Sequence, residues 1–313
     1  MSSNADPGPP NRQLPAQTWP HYALYKRVRE AVLSLPLHFR TQTYIEGISA
    51  IDIFTLSAAL GATIENQVVN TLNLMRTVWD PDDRYRQFAF ARQAQTFPDV
   101  LLRRMTEEAA TDADVLLGIE LKGWYLLAKE AEPSFRFQVT PSACAEPDLI
   151  VVVPWALTNV ISGSPMVFPP YIESARYAAE YRNFHWKHLR GAKGDSAIKQ
   201  PSVVKPYPRK SDHIGDEPVA DRGGNFGRFA RTGLMDEYLS RAKAELLAGI
   251  RAEYWLGFFK IFQDQRDPAT IRQEIEKLRQ RVEASGAHST RIDAALTALQ
   301  GIEALIEATS AAG

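Results

Sequence analysis

The stretch Asp148-Leu149-Ile150-Val151-Val152-Val153 constrains this chain more than any other. After the aspartate every side chain is apolar, and all but Leu149 are β-branched. Such a run reads as a strand covered on both faces and therefore central in its sheet. A sheet of that kind needs helices packed on it, so the chain is expected to be α/β, with a mixed β-sheet core flanked by helices. The apolar run continues only to Leu157 and contains Pro154. It is about half of the roughly 18 residues that a membrane span requires, so no membrane partner is expected.

The flanking pattern agrees. Ile53, Leu56, Leu60, Ile64, Val68, Leu72 and Met75 recur every three or four residues, which predicts a long amphipathic helix from about Ala50 to Val78. A shorter helix is expected around Tyr25 to Leu35. Short apolar segments at 98–103, 114–122 and 134–140 read as further strands, and 170–186 as a helix. In 134–140, Phe135, Phe137 and Val139 alternate with Arg136 and Gln138. Between 124 and 147 there is room for only a short helix, near 141–146.

Four regions follow from texture. Residues 1–20 hold five prolines and few large apolar groups, which predicts a flexible arm. Residues 21–186 form the core. Residues 187–232 are rich in Gly, Pro, Lys and Arg with no period, and a connection that long is usually functional or disordered. Residues 233–313 return to helical spacing near 234–264, 268–285 and 290–309, a C-terminal helical region able to form a dimer surface or complete the core. Asp267-Pro268 offers a cap followed by proline at the first helical position, and Thr290 with Asp293 a capping box.

With 36 Lys+Arg against 37 Asp+Glu the formal charge is −1, so any partner preference must be local. A local excess runs from Lys187 to Lys210, where Lys187, Arg190, Lys193, Lys199, Lys205, Arg209 and Lys210 stand against Asp195 alone. A basic, Gly/Pro-rich loop of this kind suits phosphates and base edges. Cys144 is the only cysteine, which excludes an intrachain disulfide and a cysteine-cluster zinc site. With no secretory pattern in residues 1–20, a reducing cytoplasm is expected. Gly223-Gly224-x-x-Gly227 lacks the Lys-Ser/Thr of a phosphate-binding loop, so no nucleotide cofactor is expected.

Three Pro-Asp dipeptides occur, at 81–82, 98–99 and 147–148, but only one acid-x-Lys triplet, Glu120-Leu121-Lys122. Alternation along a strand sends Glu120 and Lys122 to one face and Leu121 to the other. A neighbouring strand at 98–103 would bring Asp99 to the same place. Two carboxylates so close repel unless a hard cation sits between them, typically Mg²⁺ with oxygen ligands. A lysine beside such an ion can orient or deprotonate an attacking water.

Taken together, Gly61-x-x-x-Glu65, Phe97-Pro98-Asp99, Gly118-Ile119-Glu120-Leu121-Lys122-Gly123-Trp124 and the strand ending at Val153 resemble the PD-(D/E)XK nuclease superfamily, within it the type II restriction endonucleases. The resemblance spans about residues 44–186. It implies a restriction-endonuclease-like α/β core, Mg²⁺-dependent hydrolysis of double-stranded DNA, and a homodimer that cuts both strands. By that similarity Asp99, Glu120 and the Leu121 main-chain carbonyl are the metal ligands, Lys122 positions the water, and Glu65 completes the site. Two alternatives within this reading are a nuclease of the same type without sequence specificity, acting in repair or defence, and a catalytically inactive DNA-binding protein.

Overall fold

The computed structural model describes the chain apart from residues 1–7, 51, 94, 106–113, 192–193, 203, 222, 264–266, 285–292, 294–296 and 305–313. The central strand runs from Leu149 to Leu157 and is buried at every position. In chain order the sheet strands are β1 (Phe88–Arg92), β2 (Val100–Arg104), β3 (Val115–Tyr125), β4 (the Leu149–Leu157 strand), β5 (Pro165–Val167) and β6 (Tyr171–Ser174). β3 lies parallel to β4 on one side. On the other side β6 pairs with the first half of β4 and β5 with the second, both antiparallel, so six strands occupy five positions. β2 and then β1 extend the sheet antiparallel beyond β3.

The helices are α1 (Tyr22–Leu33), α2 (Leu35–His38), α3 (Leu56–Leu74), α4 (Arg76–Trp79), α5 (Ala175–Phe184), α6 (Asp236–Lys243), α7 (Ala252–Gln263) and α8 (Pro268–Ala284). α3 packs on β3 and β1 and buries Leu56, Ile64, Val68 and Leu72, as its spacing predicts. The long helix expected from Ala50 to Val78 is instead divided. A 3₁₀ turn at Ile53–Thr55 precedes α3, and Met75, at ψ 21°, separates α3 from α4. The reason lies in polar side chains that take main-chain partners. Asn73 exchanges two hydrogen bonds, each 2.9 Å, with the Phe90 main chain, and Arg76 donates to the carbonyls of Tyr85 and Phe88. This covers the outer edge of β1, which would otherwise offer an unpaired ladder.

Three further expectations change. Residues 134–140 form no ladder strand; they make isolated bridges to the long connection, Arg136 to Arg228 and Val139 to Gly215. The alternation holds even so, with Phe135 and Phe137 buried and Arg136 and Gln138 exposed. The helix expected at 170–186 starts late, because Tyr171–Ser174 is β6 and Ser174 caps α5 by accepting the Tyr177 N–H at 3.3 Å. The helix expected at 234–264 is interrupted by a hairpin of Leu246–Leu247 and Ile250–Arg251. Its turn residues, Ala248 at φ 47° and Gly249 at φ 84°, both have the left-handed conformation that a two-residue I′-type turn demands.

The connection between β3 and β4 carries only a 3₁₀ turn, Pro141–Ala143, in place of a crossover helix. The 187–232 region docks on the core. It contains a two-residue ladder between Ile198–Lys199 and Glu217–Pro218 and a 3₁₀ turn at Phe229–Arg231. Of the arm, Pro15 is buried, and Arg12 reaches Glu173 at 2.7 Å and lies over the Tyr177 ring, so this stretch is tied down rather than free. Asp267 caps α8, accepting from Ala269 and Thr270 main-chain N–H groups at 3.0 and 3.1 Å. The box expected at Thr290 lies outside the described residues. One hydrophobic cluster runs from Leu24 to Ile302, so the C-terminal helices join the core of the sheet. Among the described residues no helix is long and apolar enough to cross a membrane.

Candidate active site

The site forms where β2 and β3 part. Their pairing begins at Val100 opposite Ile119, so further along β3 the main chain on that side has no strand partner. Carboxylates take its place. The Leu121 N–H donates to Asp99 Oδ2 at 3.0 Å and the Gly123 N–H to Glu65 Oε1 at 3.1 Å. Within a strand a residue's N–H and C=O point to the same side, so the Leu121 carbonyl opens into the gap that holds Asp99.

Asp99 is set in place by its neighbours. The Gln93 N–H donates to the Asp99 carbonyl at 2.7 Å, and Gln93 Nε2 donates to the Pro98 carbonyl at 2.9 Å. On the other side Pro98 lies against Gly118. A Cβ at Gly118 would sit 2.2 Å from Pro98 Cγ, so only glycine permits this approach. Gly118 also donates to Asp148 Oδ1 at 2.7 Å, and Asp148 Oδ2 accepts from Ala145 at 2.8 Å. Asp148 is fully buried, and burial pushes its pKa up to about 7.

The sequence places Asp99, Glu120, Lys122 and Glu65 together, and the structure brings all four into one cluster. Lys122 Nζ stands 3.6 Å from Glu65 Oε1, and Arg92 Nη2 stands 3.6 Å from Glu65 Oε2. Burial raises the Glu120 carboxyl well above the usual carboxylate range, and the charge of Asp99 adds to that. Asp99 is raised too, first by burial and, against the Leu121 hydrogen bond, by Glu65. Glu120 Oε2 is sealed from solvent and has no hydrogen-bond partner among the described residues. A sealed carboxylate oxygen beside a second carboxylate is the arrangement that a hard cation completes.

Among the described residues no group of three or more His, Cys, Asp or Glu side chains gathers at metal-binding spacing. The oxygen donors that fit a cation are therefore the Asp99 and Glu120 carboxylates and the Leu121 carbonyl, with water for the remainder, as Mg²⁺ prefers. Glu65 is engaged with Gly123, Lys122 and Arg92 and stands as the partner of the lysine.

Arg92 and Gln93 escape the sequence reading because β1 itself does; its signal was the alternation Phe88-Ala89-Phe90-Ala91-Arg92. Of the basic residues in the long connection, Lys187, Lys199, Lys205, Arg209 and Lys210 are exposed, and Lys193 lies outside the described residues. Arg190 differs, lying flat on Trp186 with its Cζ 3.8 Å from the ring centroid. The connection meets the carboxylate cluster's flank at two points, where Thr96 Oγ1 donates to the Pro208 carbonyl at 3.5 Å and the Tyr207 hydroxyl to Asp148 at 3.3 Å.

Compared with known proteins, the chain matches no family model, no curated sequence and no solved structure.

Proposed function

We propose that this protein is a Mg²⁺-dependent endonuclease of the PD-(D/E)XK type, acting on double-stranded DNA at a specific site as a type II restriction enzyme does. The observation that carries the reading is the sealed, unpartnered Glu120 Oε2 beside Asp99, with Lys122 on the same strand face and braced by Glu65. Supporting it, the exposed basic side chains from Lys187 to Lys210 belong to the connection that borders this site.

Bound between Asp99 and Glu120, Mg²⁺ would polarise the scissile phosphate and offset charge that builds on its oxygens. The hydrogen bond from the Leu121 N–H holds the Asp99 carboxylate against the strand that carries Glu120. Lys122 positions the attacking water and stabilises its developing negative charge, and Glu65 fixes the ammonium. The water oxygen forms a new bond to phosphorus as the bond to the leaving sugar oxygen breaks. The attacking water releases a proton to solvent, and the leaving oxygen takes one up from it. A homodimer would present two such sites to the two strands.

The test is incubation of purified protein with unmethylated plasmid or phage DNA, with Mg²⁺ or with chelator, beside Asp99→Ala, Glu120→Ala and Lys122→Ala. Discrete Mg²⁺-dependent fragments, lost in each variant while folding and DNA binding persist, are the expected result. Retained cleavage in any two variants overturns the assignment. A smear in place of bands would replace the sequence-specific reading with a nonspecific one. Salt-sensitive binding without cutting under any divalent metal would leave an inactive DNA-binding core.

A further inference from the structure

Away from the carboxylates, the long connection folds over the end of α5 and encloses a cavity of about 730 Å³. That lies in the range of sites for small ligands, roughly 300–1,000 Å³. None of Glu65, Asp99, Glu120 or Lys122 lines it, so what it binds is independent of whether the chain cuts DNA. One wall is the π-helical turn His185–Leu189 and the Arg190 that follows. Trp186, 6% exposed, carries the Arg190 guanidinium on its face, and Phe226 meets its edge with centroids 5.2 Å apart. Gly227, at φ 80°, also lines the cavity. A Cβ on Gly227 would lie 3.0 Å from the Phe137 carbonyl, so its lack of a side chain lets the loop close on the core.

The polar groups of this cavity are poorly matched to one another. Trp186 Nε1 and Arg228 Nε are sealed donors without a hydrogen-bond partner among the described residues. Leaving such a donor unmet is unfavourable, which makes an arriving acceptor welcome. Two other guanidiniums on the wall are already neutralised, Arg182 by Asp216 at 2.5 Å and Arg231 by Glu132 at 2.6 Å. Arg190 and Arg228 form no ion pair with another described residue. Acceptors stand among these donors. Asp221 receives two main-chain N–H groups of its own turn, Asn225 and Phe226, and keeps further lone pairs.

A guanidinium lying on a tryptophan, donors without partners and the Asp221 carboxylate within one cavity suit a planar ring bearing acceptors on one edge and donors on the next. Guanine has that order: N7 and O6 accept from an arginine fork, and its N1–H and amino group donate to a carboxylate. Adenine places a donor where the guanidinium needs an acceptor. We infer that this cavity is a binding site for a single guanine nucleotide, held by stacking on the Arg190 guanidinium that lies over Trp186 and by hydrogen bonds to Arg228 and Asp221. The same chemistry can arrive as a free nucleotide or as a guanine swung out of a DNA duplex.

The experiment is calorimetric titration of the full chain with dGMP, dAMP and dCMP, and with duplexes carrying one extrahelical dG, one extrahelical dA or none. Arg228→Gln and Arg190→Gln are run in parallel, with melting temperature as the check on folding. The expected result is saturable binding of dGMP or of the extrahelical dG at about 1 mM or tighter. Affinity for the adenine counterpart should be at least about tenfold weaker, and each variant should lose about tenfold with an unchanged melt. Binding of dGMP identifies a free nucleotide as the source; binding of the extrahelical dG alone identifies DNA. Absence of binding by every probe, equal affinity for all bases, or undiminished affinity in both variants overturns the inference.

Discussion

Replacing Glu120 by glutamine removes a carboxylate that burial and Asp99 both oppose. Without divalent metal the variant should be more stable than the wild type by about 1 kcal/mol or more, and melt correspondingly higher, because repulsion in the site is relieved. Cleavage should fall by at least about a hundredfold, the loss expected when charge stabilisation in the transition state is removed. Added Mg²⁺ should raise the melting temperature of the wild type and leave that of Glu120→Gln unmoved. Calorimetry in chelator and in Mg²⁺ reads all but the cleavage, and a melt that drops in chelator would show that Glu120 is a structural group. Gly118→Ala probes the same site from behind. Its methyl would arrive 2.2 Å from Pro98 Cγ, and overpacking of that kind costs about 1–3 kcal/mol. Because Asp99 follows Pro98 in the chain, activity should fall more than stability, which kinetics on the folded variant would show.

At the scale of elements, the 134–140 segment and the long connection are sewn together. Phe137 N–H donates to the Gly227 carbonyl at 2.6 Å, Thr140 N–H to Ile214 at 2.8 Å, Asp216 N–H to Gln138 at 2.7 Å and Phe229 N–H to Phe135 at 3.0 Å. Arg182 locks the seam, donating to the carbonyls of Phe137 and Val139 and to Asp216. Both charges of the pair are buried, so Asp216→Ala alone should destabilise by about 3–5 kcal/mol, whereas Arg182→Met with Asp216→Leu should recover much of that. Chemical denaturation of both variants measures it. This seam was invisible in sequence. The Phe135-Phe137 alternation revealed an extended segment, but its partners lie some 75 to 95 residues on, in a stretch without periodicity. Elements whose own residues carry the pattern were legible: the apolar β4, the amphipathic α3, and Glu120 with Lys122 on one face of β3. The placing of Asp99 beside the strand of Glu120 was legible through strand pairing. Missed were elements set by single polar side chains with main-chain partners, such as the break after Leu74 that follows from Asn73 and Arg76, and with β1 went Arg92 and Gln93.

For the molecule as a whole, Asp148 couples stability to pH. Its carboxyl stays largely neutral in the folded state until about pH 7, whereas in the unfolded chain it ionises near pH 4. The folded state therefore holds the proton more tightly across that window, and the stability it contributes is full below about pH 4 and lost as pH rises through about 7. Relative to Asp148→Asn, which cannot titrate, the wild type should lose stability between pH 5 and pH 8; denaturation at several pH values reads the difference, and a flat difference would refute it. The seam between 134–140 and 214–229 has a consequence of another kind. Residues 199–212 hold several exposed lysines and arginines, the places where a trypsin-like protease cuts first. Such a nick would sever the backbone without parting the molecule, because the piece that begins near 213 carries Asp216, Gly227, Phe229 and the tail helices, each already seated in the other piece. The protein should behave as two chains that find each other, so that fragments split in this stretch, mixed after separate denaturation, rebuild one particle.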